Sequence, residues 1–179
     1  MSIRSAIEDD AFAIARIQIL AWRQAYAGMM PPDFLDRMDS VRRVTSWRRA
    51  LSAPAAMATD VVLGPSGDVI GFFVYGASRD ADAAVGTGEL VAINLLPEHW
   101  RRGLGRSMMR RLLAVAIERR WQALTLWVLE TNLQARRFYE AHGFEADGAS
   151  QVDLKLTGAP LHLLRYRRLL AGPAQGGPG

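Results

Sequence analysis

Apolar positions along the chain change period several times, and each change marks an element. Ile14, Ile17 and Ala21 recur at helical spacing, preceded by Asp9 and Asp10, acidic residues that the helix dipole favours in a first turn. A helix is predicted to run to about Tyr26, after a short strand at residues 3–6. Gly28, Pro31 and Pro32 break it. A second helical stretch is expected from about Pro32 through Ala50, with Arg42, Arg43, Arg48 and Arg49 on a solvated face. From Asp60 the period becomes two. Residues 60–63 and 69–75 flank a Gly64-Pro65-Ser66-Gly67-Asp68 turn, the pattern of an antiparallel hairpin. After a polar loop around Arg79 to Thr87, residues 89–96 read as a strand that Pro97 ends. Leu104, Met108, Leu112 and Val115 then mark a helix from about Gly103 to Arg119. Leu124, Leu126 and Val128 alternate with Thr125 and Trp127, a strand apolar on both faces and therefore central in its sheet. Residues 132–142 form a helix closed by Gly143. Phe144 opens a strand, Thr157-Gly158 marks a turn, and residues 161–167 return as the last strand.

The order βααβββαβαββ predicts an α/β layer fold, one mixed sheet with helices on both faces. The 179 residues suit one domain over 1–170, large enough to bury roughly 70% of its unfolded surface, with a Gly/Pro tail at 171–179 expected to be disordered. Zero cysteine excludes a disulfide scaffold, an iron–sulfur cluster and a cysteine nucleophile. Against 18 acidic residues stand 22 basic ones, of which all but Lys155 are Arg, for a net charge of +4. The apolar run at residues 11–20 follows Glu8, Asp9 and Asp10 and is interrupted by Arg16, so it reads as neither a signal peptide nor a membrane span, and a cytoplasmic protein is expected. His99, His142 and His162 are scattered, without metal-ligand spacing, so no metal is expected.

The segment Trp100-Arg101-Arg102-Gly103-Leu104-Gly105-Arg106-Ser107 carries the chemistry. Glycines let the backbone turn tightly so that successive N–H groups converge, and a helix N-terminus adds partial positive charge. The result is a cradle for an anion such as a pyrophosphate. A Walker A loop is excluded because no Gly-Lys-Ser/Thr follows, and a dinucleotide fingerprint because Met108 stands where a third glycine belongs.

The run from Gly88 to Glu98, followed by Arg102-Gly103-Leu104-Gly105, resembles the strand and acyl-CoA loop of the GNAT N-acetyltransferase superfamily. The segment from Asn132 to Phe144 is similar to that family's later helix and strand, and the element order fits over residues 3–169. One position departs from the pattern: the family usually has Gln or Arg three residues before the first glycine, and here Trp100 stands there. The resemblance implies a mostly antiparallel sheet of six to seven strands with a splay after the fourth, acetyl-CoA as cosubstrate and a primary amine of a small molecule or peptide as acceptor. It implies a backbone N–H near Leu95 and Leu96 that holds the thioester carbonyl, and a coenzyme site of Arg101, Arg102, Gly103, Leu104, Gly105, Arg106 and Ser107. Asn132 and Tyr139, seven residues apart, are expected on one helix face together with Arg136. By the resemblance Asn132 bonds the pantetheine arm and Tyr139 protonates the leaving thiolate. Glu89 is the candidate base, with Asp80, Asp82 or water as stand-ins. Trp22 and Tyr26, four apart, either pack in the core or line the acceptor site. Two other readings stand beside this one: an acyl-CoA-binding sensor or scaffold without catalysis, and a nucleic-acid face built from Arg101, Arg102, Arg106, Arg110 and Arg111. The acetyltransferase reading expects neither a nucleic-acid nor a membrane partner, and a monomer or homodimer.

Overall fold

The computed structural model describes residues 2–52 and 56–170; the expected tail at 171–179 lies outside them. The strands are β1 (Ser2–Ser5), β2 (Met57–Leu63), β3 (Val69–Ala77), β4 (Thr87–Leu95), β5 (Ala123–Leu129), β6 (Glu145–Asp153) and β7 (Leu161–Leu169). The helices are α1 (Ala11–Ala25), α2 (Pro32–Asp36), α3 (Ser40–Ser52), α4 (Leu104–Glu118) and α5 (Leu133–Glu140). All seven strands join one sheet in the order β1-β2-β3-β4-β5-β7-β6. Every neighbouring pair is antiparallel except β4 and β5.

The single helix expected from Pro32 to Ala50 is two helices. The Asp39 carboxylate accepts the N–H groups of Val41 (2.7 Å) and Arg42 (3.2 Å), satisfying donors that a new helix leaves open, so the chain stops after Asp36 and restarts at Ser40. Arg42, Arg48 and Arg49 are solvated as expected, whereas Arg43 is half-buried with its guanidinium 5.4 Å from the Trp22 ring centre. Asp10 precedes α1 in a short 3₁₀ turn. Its carboxylate takes the Ile7 N–H at 2.8 Å and a bidentate Arg4 at 2.6 and 2.9 Å, fastening β1 to the start of the helix.

Side chains along β3 alternate between two layers. Phe72 meets Trp47 of α3 edge-on at 5.2 Å, and Trp47 donates its indole N–H to Gln18 of α1, so α1 and α3 share one face. Tyr75, three positions on, lies under Arg119 at the end of α4, which occupies the other face. Between the layers Phe72, Phe73, Met108, Met109, Leu112 and Leu124 are fully buried. A second, smaller cluster of Ile19, Met30, Leu35, Met38, Leu129 and Leu161 packs beneath Trp22 and Tyr26.

Two features open the middle of the sheet. The parallel pairing of β4 with β5 covers only Thr87↔Ala123, Gly88↔Leu124 and Glu89↔Thr125. Directly after it, Tyr75 pairs with Leu90 and Val74 with Ala92, leaving Val91 as an extra residue in β4. Such a bulge bends the strand that carries it, and from there the two strands part.

Candidate active site

The end of β4 forms one wall of a cleft of about 470 Å³, the turn into α4 a second and α5 with its cap a third. Along β4 the amides alternate between edges. Leu96 donates to Ile70 O of β3 at 2.9 Å, so the N–H and C=O of Leu95 point the opposite way, into the gap that β5 has vacated. The Leu95 carbonyl receives the indole N–H of Trp100 at 2.8 Å. The Leu95 N–H has no ladder partner among the described residues.

The loop after β4 reverses twice through left-handed backbone: Arg101 has φ +59° and Gly103 φ +78°. Gly103 takes that conformation without steric cost, while Arg101 holds it under local strain. With Gly103 left-handed and Leu104 helical, successive N–H groups converge. The first backbone bond of α4 runs from Ser107 N–H to Gly103 O at 3.2 Å, so the amides of Leu104, Gly105 and Arg106 have no intrahelical acceptor, and no side chain caps the helix. Gly105 sits against Phe138 of α5; a Cβ there would lie 3.0 Å from the ring. This contact brings the start of α4 and the length of α5 to the same cleft.

Arg101, Gly103, Gly105, Arg106, Leu95, Asn132, Tyr139 and Tyr26 all line it. Asn132 does not stand on the helix beside Tyr139 as expected. It caps α5, its Oδ1 accepting the Ala135 N–H at 3.0 Å, and this leaves the amide nitrogen facing the cleft as a donor. The Tyr139 hydroxyl makes no hydrogen bond among the described residues, yet no buried polar side-chain atom among them is left without a partner, so that hydroxyl opens onto the cleft. Burial pushes its pKa above the ordinary phenol range, and the nearby Tyr26 adds to the shift. Burial raises the Tyr26 phenol as well.

Of the other expected members, Leu104 contributes its open amide while its side chain packs at the core margin; Leu96 is in the core, Arg102 is exposed outside the cleft lining, and the Ser107 hydroxyl accepts from Arg110. Arg136 turns away from the cleft, donating to Tyr166 Oη at 2.9 Å and to Glu130 O at 3.0 Å, so it builds no coenzyme wall. Trp22 does not reach the cleft and packs with the second cluster, edge-on to Tyr26 at 5.3 Å.

Glu89 is not a free base either. It is buried, its Oε1 2.6 Å from Arg79 Nη2 and its Oε2 accepting both Arg79 Nε (3.0 Å) and Arg79 N–H (3.1 Å). The stand-ins are similarly occupied. Asp80 accepts the Trp127 indole at 2.9 Å and Asp82 receives a bidentate Arg165 at 2.6 and 2.8 Å. Missed at the level of sequence were Ala21 and Ala25, one turn apart on α1 as small residues that admit a ligand, and His142, whose Nδ1 lies 2.7 Å from Phe138 O. Among the described residues no three His, Cys, Asp or Glu side chains come together so as to hold a metal ion. No helix among them is long and apolar enough to cross a membrane.

Residues 19–144 match the sequence model described as the Acetyltransferase (GNAT) family. The chain is 28% identical over 145 residues to an uncharacterized N-acetyltransferase of Bacillus subtilis, YuaI, covering 81% of this chain and 80% of that one. It is 27% identical over 140 residues to an uncharacterized N-acetyltransferase of Archaeoglobus fulgidus, covering 78% and 89%. Among solved structures, the fold resembles PaiA N-acetyltransferase of Thermoplasma acidophilum in complex with coenzyme A (TM-score 0.70, 16% identity, 95% of this chain and 100% of that one). It also resembles YncA of Salmonella typhimurium, a putative acetyltransferase with its cofactor acetyl-CoA (TM-score 0.69, 23% identity, 100% and 98%).

Proposed function

Because the chain belongs to the GNAT acetyltransferase family, we propose that it moves an acetyl group from acetyl-CoA directly to a primary amine of a small molecule or peptide. The observation that carries this reading is the continuity of one cleft. Its open α4 amides, the Leu95 N–H and the Tyr139 hydroxyl border one space, a combination that suits a pyrophosphate and a thioester of the same ligand.

The residues fit the cosubstrate. The amides of Leu104, Gly105 and Arg106, with the charges of Arg101 and Arg106, would hold the pyrophosphate, and the Asn132 amide would donate to the pantetheine arm. Acetyl-CoA supplies the activated acyl group. The chain's own contribution is polarisation and proton supply. Leu95 N–H is placed to stabilise the negative charge that develops on the thioester oxygen as the amine nitrogen attacks the carbonyl carbon. When the C–S bond breaks, the electron pair leaves with sulfur and Tyr139 donates the proton. A phenol held neutral by burial is suited to that role, because it carries its proton throughout the working pH range. With Glu89, Asp80 and Asp82 each held by other side chains, the acceptor's proton passes to water.

A screen of amines with acetyl-CoA, read by release of the free CoA thiol, tests the reading. Amine-dependent release above the hydrolysis rate supports it; its absence over polyamines, aminoglycosides, amino acids and peptides overturns it.

A further inference from the structure

We infer that Trp100 is a positioning residue for acyl transfer, its indole N–H holding the end of β4 so that Leu95 presents its N–H to the site with its own carbonyl already occupied. The inference rests on the acetyl-transfer reading above. Past the last β5 pair at Glu89↔Thr125, the edge of β4 offers the cleft both the N–H and the C=O of Leu95. The two differ in sign towards a thioester oxygen: the N–H attracts its growing negative charge, while an unpaired carbonyl beside it repels that charge and recruits water. Trp100 Nε1 takes the carbonyl at 2.8 Å. Indole has one donor and no acceptor, so the bond satisfies Leu95 O and brings no new lone pair into the site.

The same bond fixes geometry. The peptide unit joining Leu95 to Leu96 is gripped at both ends, its oxygen by Trp100 and its N–H by Ile70 O at 2.9 Å. On the β3 side the absence of a side chain at Gly71 makes room for Leu95, since a Cβ there would collide with the Leu95 side chain and come within 3.0 Å of Asn94 O. Leu95 is thus clamped between β3 and the indole, and Trp100 itself lines the cleft. A longer polar side chain at this position would be free to turn towards the phosphates; tryptophan leaves those to backbone amides and serves the acyl end instead.

Trp100→Phe keeps an aromatic plane and removes the donor. In that variant kcat should fall about three- to tenfold, the loss of one hydrogen bond, while the KM for acetyl-CoA stays within about twofold. With acetyl-CoA labelled with carbon-13 at the thioester carbonyl, the bound resonance should be displaced from the free value in the wild type and move back towards it in the variant. Wild-type kcat with an unmoved resonance overturns the inference. A second measurement needs no variant: in the free wild-type protein the Trp100 indole proton should exchange with solvent more slowly than that of an exposed tryptophan, and exchange at the exposed rate overturns the inference as well. Failure of the wild type to bind acetyl-CoA would instead overturn the transferase reading, and the indole exchange would still report on the clamp.

Discussion

Tyr26, at the end of α1, and Tyr139, on α5, reach the same cleft, close enough that charge on Tyr26 makes Tyr139 harder to ionise. Two neutral phenols therefore stand where the strands part. In the proposed reaction Tyr139 would give its proton to the departing sulfur and Tyr26 would border the entering amine.

Tyr139→Phe removes the hydroxyl and keeps the ring. It should lower kcat by about 10²-fold or more, the usual weight of a general acid, and leave acetyl-CoA affinity nearly unchanged. Because the wild-type phenol titrates above its ordinary value of 10.0, kcat should show no alkaline limb from this group below about pH 10. Undiminished turnover in the variant would mean the thiolate leaves unprotonated or takes its proton from solvent.

Acetyl-CoA at a hundredfold excess over its dissociation constant should stabilise the native state by about 2.7 kcal/mol and raise the Tm on the order of 5–10 °C. Gly105→Glu should abolish the shift, since it puts a negative side chain at the open amides and against Phe138. A Tm indifferent to millimolar acetyl-CoA would contradict the coenzyme site.

Glu89→Gln separates two roles. As the buried partner of Arg79, Glu89 should matter for stability, so the Tm should drop, by about 1–3 kcal/mol in free energy, while the acid limb of kcat/KM for the acceptor stays in place. A displaced acid limb at an unchanged Tm would return the base to Glu89.

Asp10 sets a pH dependence. Hydrogen bonds from Arg4 hold its carboxyl below the usual value of 3.8, with the Ile7 N–H acting in the same direction against burial. A carboxyl depressed on folding stabilises the native state above its unfolded pKa and loses that contribution as pH falls through the folded value. Asp10→Asn should therefore lower the Tm at neutral pH, and the gap to wild type should close below about pH 4. An equal gap at pH 7 and pH 3 would show that the charge contributes nothing.

How much of this was legible in the sequence depends on the range of each contact. Helix and strand periods, the Gly103 and Gly143 turns and the open amides at the start of α4 are local, and they stand in the structure where the pattern put them. The break at Asp39 was equally local, yet the apolar spacing on either side masked a capping aspartate. Glu89 looked free because its partner, Arg79, is brought beside it only by the β3–β4 turn. Arg136 looked like a coenzyme contact because the helix face was counted from Asn132, while its actual partner, Tyr166, is thirty residues on in β7. Trp100 registered as a departure from a motif; its bond to Leu95 depends on where β4 ends.

The arginines of the α4 region are unevenly available. Arg111 is paired with Asp60 at 3.3 Å and Glu118 at 3.5 Å, and Arg110 donates to Ser107. Duplex or single-stranded nucleic acid should bind weakly at physiological salt. Submicromolar affinity there would reopen the nucleic-acid reading.

The three residue pairs that join β4 to β5 make the sheet a wedge, closed at Glu89 and open at Leu95. Rungs are absent at the mouth, where an extended amide-bearing chain of the right length would supply them. In the proposed reaction the extended arm of the cosubstrate would act there as a temporary eighth strand, bridging the two halves of the sheet. Backbone amides flanking the mouth should then exchange fastest in the empty protein and slow most on loading. In the proposed reaction a seam of the fold itself would then be bridged on loading and unbridged as the spent coenzyme departs.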